Sequence, residues 1–270
     1  MGVIHLPRLP SISHRAEWGE ELIDAAVSEA RALEELGYDG VIVENYGDAP
    51  YPKRLEDPLS LAAIAVIVRE VARSTGLKVG VNVLRNSGRE AYAIAVAAGA
   101  EFVRVNALVE TIVSDSGIIE PEAPLLRDLR LNYPGVAVYA DFLVKHATSL
   151  SASLMAIEAT TPWLSKGMGE DYVRELVADY VERGGANALV VTGLRTGEAP
   201  DLKLVRTIKR FSSVPVVVGS GTTPENVGKV LKECDGVIVG SYIKREGRAG
   251  NPLDVDRARA FIEAARRALG

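Results

Sequence analysis

Glutamine is missing from this chain, and cysteine occurs once among its 270 residues. A lone Cys234 cannot close an intrachain disulfide, so the fold must rest on its own core. It sits in "LKECDGV", just before a strand, where a small packing residue is expected rather than a reactive thiol. Three histidines and that one cysteine form no cluster with zinc spacing. No Gly-rich dinucleotide fingerprint follows the first strand. No basic segment with a long apolar run opens the sequence, so no signal peptide is read. The apolar stretch Leu59 to Val68 is too short to span a bilayer and runs into Arg69 and Glu70. These absences lead us to expect a cytoplasmic protein without a transmembrane segment. A net charge of -5 argues against a nucleic-acid partner or a polybasic membrane anchor. Lack of glutamine beside abundant Arg and Glu is compatible with a thermophile.

What remains is 47% hydrophobic and 25% charged, with 25 glycines and 13 prolines, the make-up of a globular protein. Apolar strands alternate with amphipathic helices from end to end. "GVIHL", "DGVIVEN", "KVGVNVL", "FVRVNA", "GVAVYADF", "ALVVTG", "PVVVGSG" and "GVIVGS" read as buried parallel strands. Helices are expected near 18–36, 58–74, 88–99, 122–131, 170–183 and 254–268, with Gly99 as a stop. About eight strand–helix units point to a single (β/α)₈ barrel domain over residues 1–270, with a doubly wound open sheet as competitor. Residues 148–168 are too long for an ordinary loop and suit either a lid or oligomer contact, or plain packing.

In such a barrel the chemistry sits at the C-terminal strand ends. Asn82, Arg104 and Asn106 interrupt apolar strands, and burying them unpaired would be costly. Arg104 therefore meets either a bound anion or an internal partner such as Glu44 or Asp141. Those two carboxylates can share acid–base work or hold a divalent cation through oxygen ligands. Lys145 and His146 follow strand five. The lysine can neutralise a phosphate or polarise a carbonyl, and the histidine can move protons or be structural; His5 carries the same ambiguity.

The segment "VVVGSGTTPENV" ends a strand in two glycines. It then offers Thr223 as cap of a helix beginning at Pro224, whose dipole would face an anion. Gly221 and Thr222 after strand seven pair with Gly240 and Ser241 after strand eight as a phosphate cradle, which Thr192 and Gly193 after strand six can help close. The bland alternative is that these glycines only turn tight corners.

Taken together, "VIHLPRLP", "DGVIVEN", "VNVLRNS", "FVRVNA", "SDSG", "ADFLVKHA", "VVTGLRTG", "VGSGTTPENV" and "DGVIVGSYIK" resemble the BtpA family over nearly the whole chain. That family includes proteins named for photosystem I biogenesis and SgcQ-like proteins. The resemblance implies a TIM barrel of the ribulose-phosphate-binding kind. Two departures stand out. Leu9 and Pro10 run into "SISHR" where the family usually has Gly-Ser-Pro, and Ser87 replaces a frequent Asp, leaving Asn82, Arg85 and Asn86 as matched polar residues. The expected function is isomerase or lyase chemistry on a small phosphorylated metabolite, a phosphosugar or nucleotide-like compound. The alternative is a non-catalytic assembly factor, and a homo-oligomer fits either.

Overall fold

Runs such as Val41–Val43 and Val216–Val218 carry branched apolar side chains on both faces, which suits strands covered inside and out. The computed structural model describes residues 1–9, 19–142, 147–150, 168–193 and 200–270. Its main sheet has strands β1 (Gly2–His5), β2 (Gly40–Glu44), β3 (Lys78–Asn82), β4 (Phe102–Val105), β5 (Ala137–Phe142), β6 (Ala188–Val191), β7 (Val216–Val218) and β8 (Gly236–Val237). All seven neighbouring pairs are parallel and follow chain order. The ring closes where Gly2 bridges Val239. There Val3 N–H donates to Val239 O at 3.1 Å and Val239 N–H to Met1 O at 3.0 Å. A closed parallel ring is a (β/α)₈ barrel; the open sheet is excluded.

The outer helices are α1 (Glu20–Glu35), α2 (Pro58–Ser74), α3 (Gly88–Ala98), α4 (Ala123–Asn132), α5 (Met168–Ala178), α6 (Leu202–Phe211), α7 (Val227–Val230) and α8 (Val255–Leu269). Their starts follow local chemistry. Asp57 caps α2 by accepting from Ser60 N–H at 2.6 Å, with Pro58 in the first turn, and Asp201 and Asp254 cap α6 and α8. Gly99 stops α3 in the left-handed region at φ 80°. A wider π turn, Asp179–Arg183, prolongs α5. Among the described residues, no helix is long and apolar enough to cross a membrane.

The barrel interior is layered by the two-residue period of its strands. Val3, Ile42, Phe102, Val190, Val217 and Ile238 form an apolar plug, with Ala137 and Tyr139 packed on it. Gly80 makes room for Phe102, because a Cβ there would lie 2.2 Å from its ring. Two residues later the same register carries His5, Glu44, Asn82, Arg104, Asp141, Thr192, Gly219 and Gly240. The interior thus changes from apolar to polar within one layer, and that layer floors the C-terminal mouth.

Two expectations need correction. The α7 helix starts at Val227, not Pro224. Asn226 closes the preceding turn on itself, its Oδ1 accepting from Thr223 N–H and its Nδ2 donating to Gly221 O, both at 2.8 Å. Four residues carry little dipole, so an anion here must rely on other groups. The segment after β4, which the apolar pattern reads only as a loop before α4, is also more than that. Ile112–Ser114 and Gly117–Ile119 form a hairpin that Ala147–Ser149 extends, all antiparallel. Its Asp115–Gly117 turn has Gly117 at φ 93°. Lys145, His146, Trp18 and most of the 148–168 segment lie outside the described residues.

Candidate active site

Four polar side chains of the upper layer pair across neighbouring strands. Arg104 forms a bidentate pair with Asp141, Nε to Oδ1 at 2.8 Å and Nη2 to Oδ2 at 3.1 Å, and both residues are buried. Asn106 Nδ2 donates to the same Oδ2 at 2.7 Å. Burial alone would lower the arginine's pKa, but Asp141 and then Glu44 more than offset it and hold the guanidinium above its ordinary value. On the next strands Asn82 Nδ2 donates to Glu44 Oε2 at 2.7 Å. Asp141 thus has both oxygens engaged, whereas Glu44 Oε1 has no partner among the described residues. The two carboxylates differ in how many of their oxygens are bonded.

These groups open onto one cavity of about 440 Å³ at the barrel mouth. Val3, Val239 and Ile238 mark its apolar base, and Gly219 to Thr223, Gly240 and Ser241 form one side. The two glycine corners therefore share a single space with the carboxylate pairs. Close backbone approach explains the glycines. A Cβ at Gly219 would lie 2.5 Å from Val190, and Gly221 sits at φ 73°. Thr222 is buried, and its Oγ1 has no protein partner among the described residues. Asn82 Oδ1, Asn106 Oδ1 and Arg85 Nε share that condition, and all four residues border this cavity. Solvent or a ligand must complete them.

Several wall residues escaped the sequence reading. Arg257, in the first turn of α8, points its Nε at Tyr242 O (2.6 Å) and lies 4.3 Å over the Tyr242 ring. Its guanidinium borders the cavity beside Gly247. Tyr46, Tyr51 and Asp115 also line the mouth. Burial, with a smaller push from Glu44, raises the Tyr51 pKa and keeps its hydroxyl a donor, which bonds Tyr46 O at 2.7 Å. His5 lies against Tyr46 at 4.6 Å, and its Nδ1 accepts from Gly250 N–H at 3.2 Å, which places the proton of a neutral ring on Nε2. A period-two strand pattern gives no signal for side chains reaching in from an outer helix or a hairpin tip.

Other polar side chains near the mouth resolve into structure. Asn45 and Asn86 are struts: Asn45 joins Asp48 to Leu84 N–H, and Asn86 ties Ala107 to Glu120 O. Thr192 shares the polar layer beside Gly219, although neither it nor Gly193 is among the residues that line the cavity, and Gly193 N–H donates to Ser220 Oγ at 3.3 Å. The loop after β8 is anchored by a buried Lys244–Glu29 ion pair, where burial pushes the ammonium pKa down and the carboxyl pKa up. Among the described residues no three His, Cys, Asp or Glu side chains gather as a metal cage.

The profile of the BtpA family matches residues 1–267. The chain belongs to the BtpA family. One relative, the photosystem I biogenesis protein BtpA of Synechocystis sp., is 40% identical over 98% of this chain and 86% of its own length. Another, an uncharacterised protein of Pyrococcus horikoshii, is 41% identical over 96% of this chain and 92% of its own. Among solved structures, thiamine phosphate pyrophosphorylase from Pyrococcus furiosus superposes with a TM-score of 0.56 at 17% identity, covering 100% of this chain and 96% of its own. N-(5'-phosphoribosyl)anthranilate isomerase from the same organism gives 0.55 at 16% identity, over 90% and 95%. At such identities the two structures bear on the fold alone, and BtpA-family membership rests on the sequence.

Proposed function

We propose that this single-domain BtpA-family barrel is an enzyme of the isomerase or lyase type acting on a small phosphorylated metabolite, a phosphosugar or nucleotide-like compound. One observation carries the reading. Two glycine corners, the Thr222 hydroxyl (without a partner among the described residues) and the Arg257 guanidinium open into the same cavity as the buried Glu44–Asn82 and Arg104–Asp141 pairs. Backbone N–H groups around Gly221 and Gly240, with Thr222, Ser241 and Arg257, hold the phosphate. Glu44 takes a proton from carbon through its unused oxygen and returns it to the neighbouring position. Arg104 stabilises the enediolate oxygen meanwhile, and the Oδ1 atoms of the two asparagines accept from substrate hydroxyls. Asp141, with both oxygens engaged, positions Arg104 rather than accepting the proton. Lys145 and His146 keep their suggested places as a phosphate or carbonyl partner and a proton carrier. Phosphorylated metabolites are retained in the cytoplasm, where an unpaired Cys234 also stays reduced, and we place the protein there.

The alternative, an assembly factor without chemistry, draws on the name of the Synechocystis relative. Thermal-shift screening of phosphorylated metabolites discriminates. A ligand at about a hundred times its Kd adds roughly 2.7 kcal/mol of stability. For a chain of this size that is a Tm rise of about 5–10 °C. Glu44→Gln should keep that shift and lose turnover, whereas Gly221→Asp should lose the shift. If no phosphorylated compound raises Tm, the enzyme reading fails.

A further inference from the structure

Arg85 is a second cation on the cavity wall, and its backbone is clamped. Its N–H donates to Pro52 O at 3.2 Å, and the N–H of Leu84 donates to Asn45 Oδ1 at 2.7 Å. The guanidinium lies 4.7 Å over the Tyr51 ring. Nη2 reaches both oxygens of Asp115 at 2.8 and 3.0 Å, but that carboxylate stands on the hairpin tip with its side chain 61% exposed. Such a wet pair is weak. Nε–H is buried and has no acceptor among the described residues. A rigidly held cation with a spare donor is built to receive an anion.

The floor asks for something different. Asn82 and Asn106 each give their NH₂ to a carboxylate, which fixes the amide orientation and leaves both Oδ1 atoms as acceptors without a donor among the described residues. A phosphate bridging Arg85 and Arg257 could not supply those donors, because it offers acceptors. Hydroxyl groups can. The unsatisfied atoms therefore describe a complement: an anion at Arg85, hydroxyls above the two asparagines, and an anion at Thr222 and Arg257.

We propose that the ligand is a polyhydroxylated phosphosugar with a second anionic group, carboxylate or phosphate, and that Arg85 is the residue selecting it. This rests on the phosphate reading above and narrows it to compounds charged at both ends. A cavity of about 440 Å³ is within the usual range for metabolites of that size.

Calorimetric titration of the full chain with inorganic phosphate, ribose phosphate, ribulose bisphosphate and phosphogluconate tests this. Either the bisphosphate or the phosphorylated acid should bind at least about tenfold tighter than ribose phosphate, and the tighter of the two identifies the second anion. Arg85→Met should erase that preference while changing ribose phosphate affinity less than about threefold. Asp115→Asn, at an exposed tip where folding tolerates it, should strengthen two-anion binding by removing a competitor for Arg85. Equal binding of one- and two-anion ligands, or equal losses for both in Arg85→Met, overturns the second anchor and leaves the phosphate site standing. Failure of all four probes, inorganic phosphate included, overturns both.

Discussion

At the scale of single residues, Arg104 depends on Asp141 for its place in the barrel. The side chains are 7% and 1% exposed, so either charge alone would face a large desolvation penalty. Asp141→Asn should cost about 3–5 kcal/mol in urea unfolding. The double variant Arg104→Met, Asp141→Leu should recover most of that without recovering ligand binding. A small loss in Asp141→Asn would show that water already reaches the pair. This pairing was half legible in the sequence, because period two placed Arg104 and Asn106 on one face but could not choose between Glu44 and Asp141. Arg257 was not legible. It belongs to an outer helix, and only the three-dimensional path of the loop after β8 carries its guanidinium to the mouth. Cys234 reads the same in sequence and structure. It is buried, its Sγ bonds Val230 O and Gly236 O, and burial raises its pKa. Thiol reagents at neutral pH should leave it unmodified until the chain unfolds; rapid native labelling would contradict this.

Among the elements, helix starts and strand order were readable because they follow local rules of capping and apolar runs. The hairpin over the mouth was not, since two three-residue strands around a turn give too few alternations to register. The α7 helix was read too early because Thr223–Pro224 is a good start in isolation, while Asn226 competes for the same backbone groups. Element ends elsewhere are tied by charged side chains. Asp235, ahead of β8, accepts from Val216 N–H of β7 at 2.9 Å and from Lys209 of α6 at 2.8 Å. Burial pulls its pKa up, but the lysine and the backbone donor outweigh this, and the net shift is below the ordinary 3.8. A carboxylate depressed by folding adds stability above its unfolded pKa and loses it as pH falls through the folded value. Asp235→Asn keeps an acceptor for Val216 and removes the charge, so it should cost roughly 0.2–1 kcal/mol at neutral pH. That difference should begin to shrink as pH falls to about 3.8 and vanish only below the depressed folded pKa. A difference that persists in acid would assign the effect to geometry rather than charge.

Over the whole molecule, stability and function occupy different layers of one barrel. The lower layer is an apolar plug and the shell beneath the helices is a continuous apolar core, both of which favour folding. The upper layer works against folding, because Asn82, Asn106 and Thr222 bury polar atoms with no protein partner among the described residues. A buried polar group without a partner costs about 1–3 kcal/mol. A fold optimised for stability alone would not keep three of them around one space, whereas a ligand that completes them makes the cost local and conditional. Thr222→Val separates these accounts, since it preserves shape and deletes only the hydroxyl. It should raise the Tm of the free protein, by about 2–4 °C for each kcal/mol gained, and abolish most of the shift produced by phosphorylated ligands. A variant that melts lower and still responds fully to ligand would mean that the hydroxyl serves the fold, and the polar layer would lose its claim to be a binding surface.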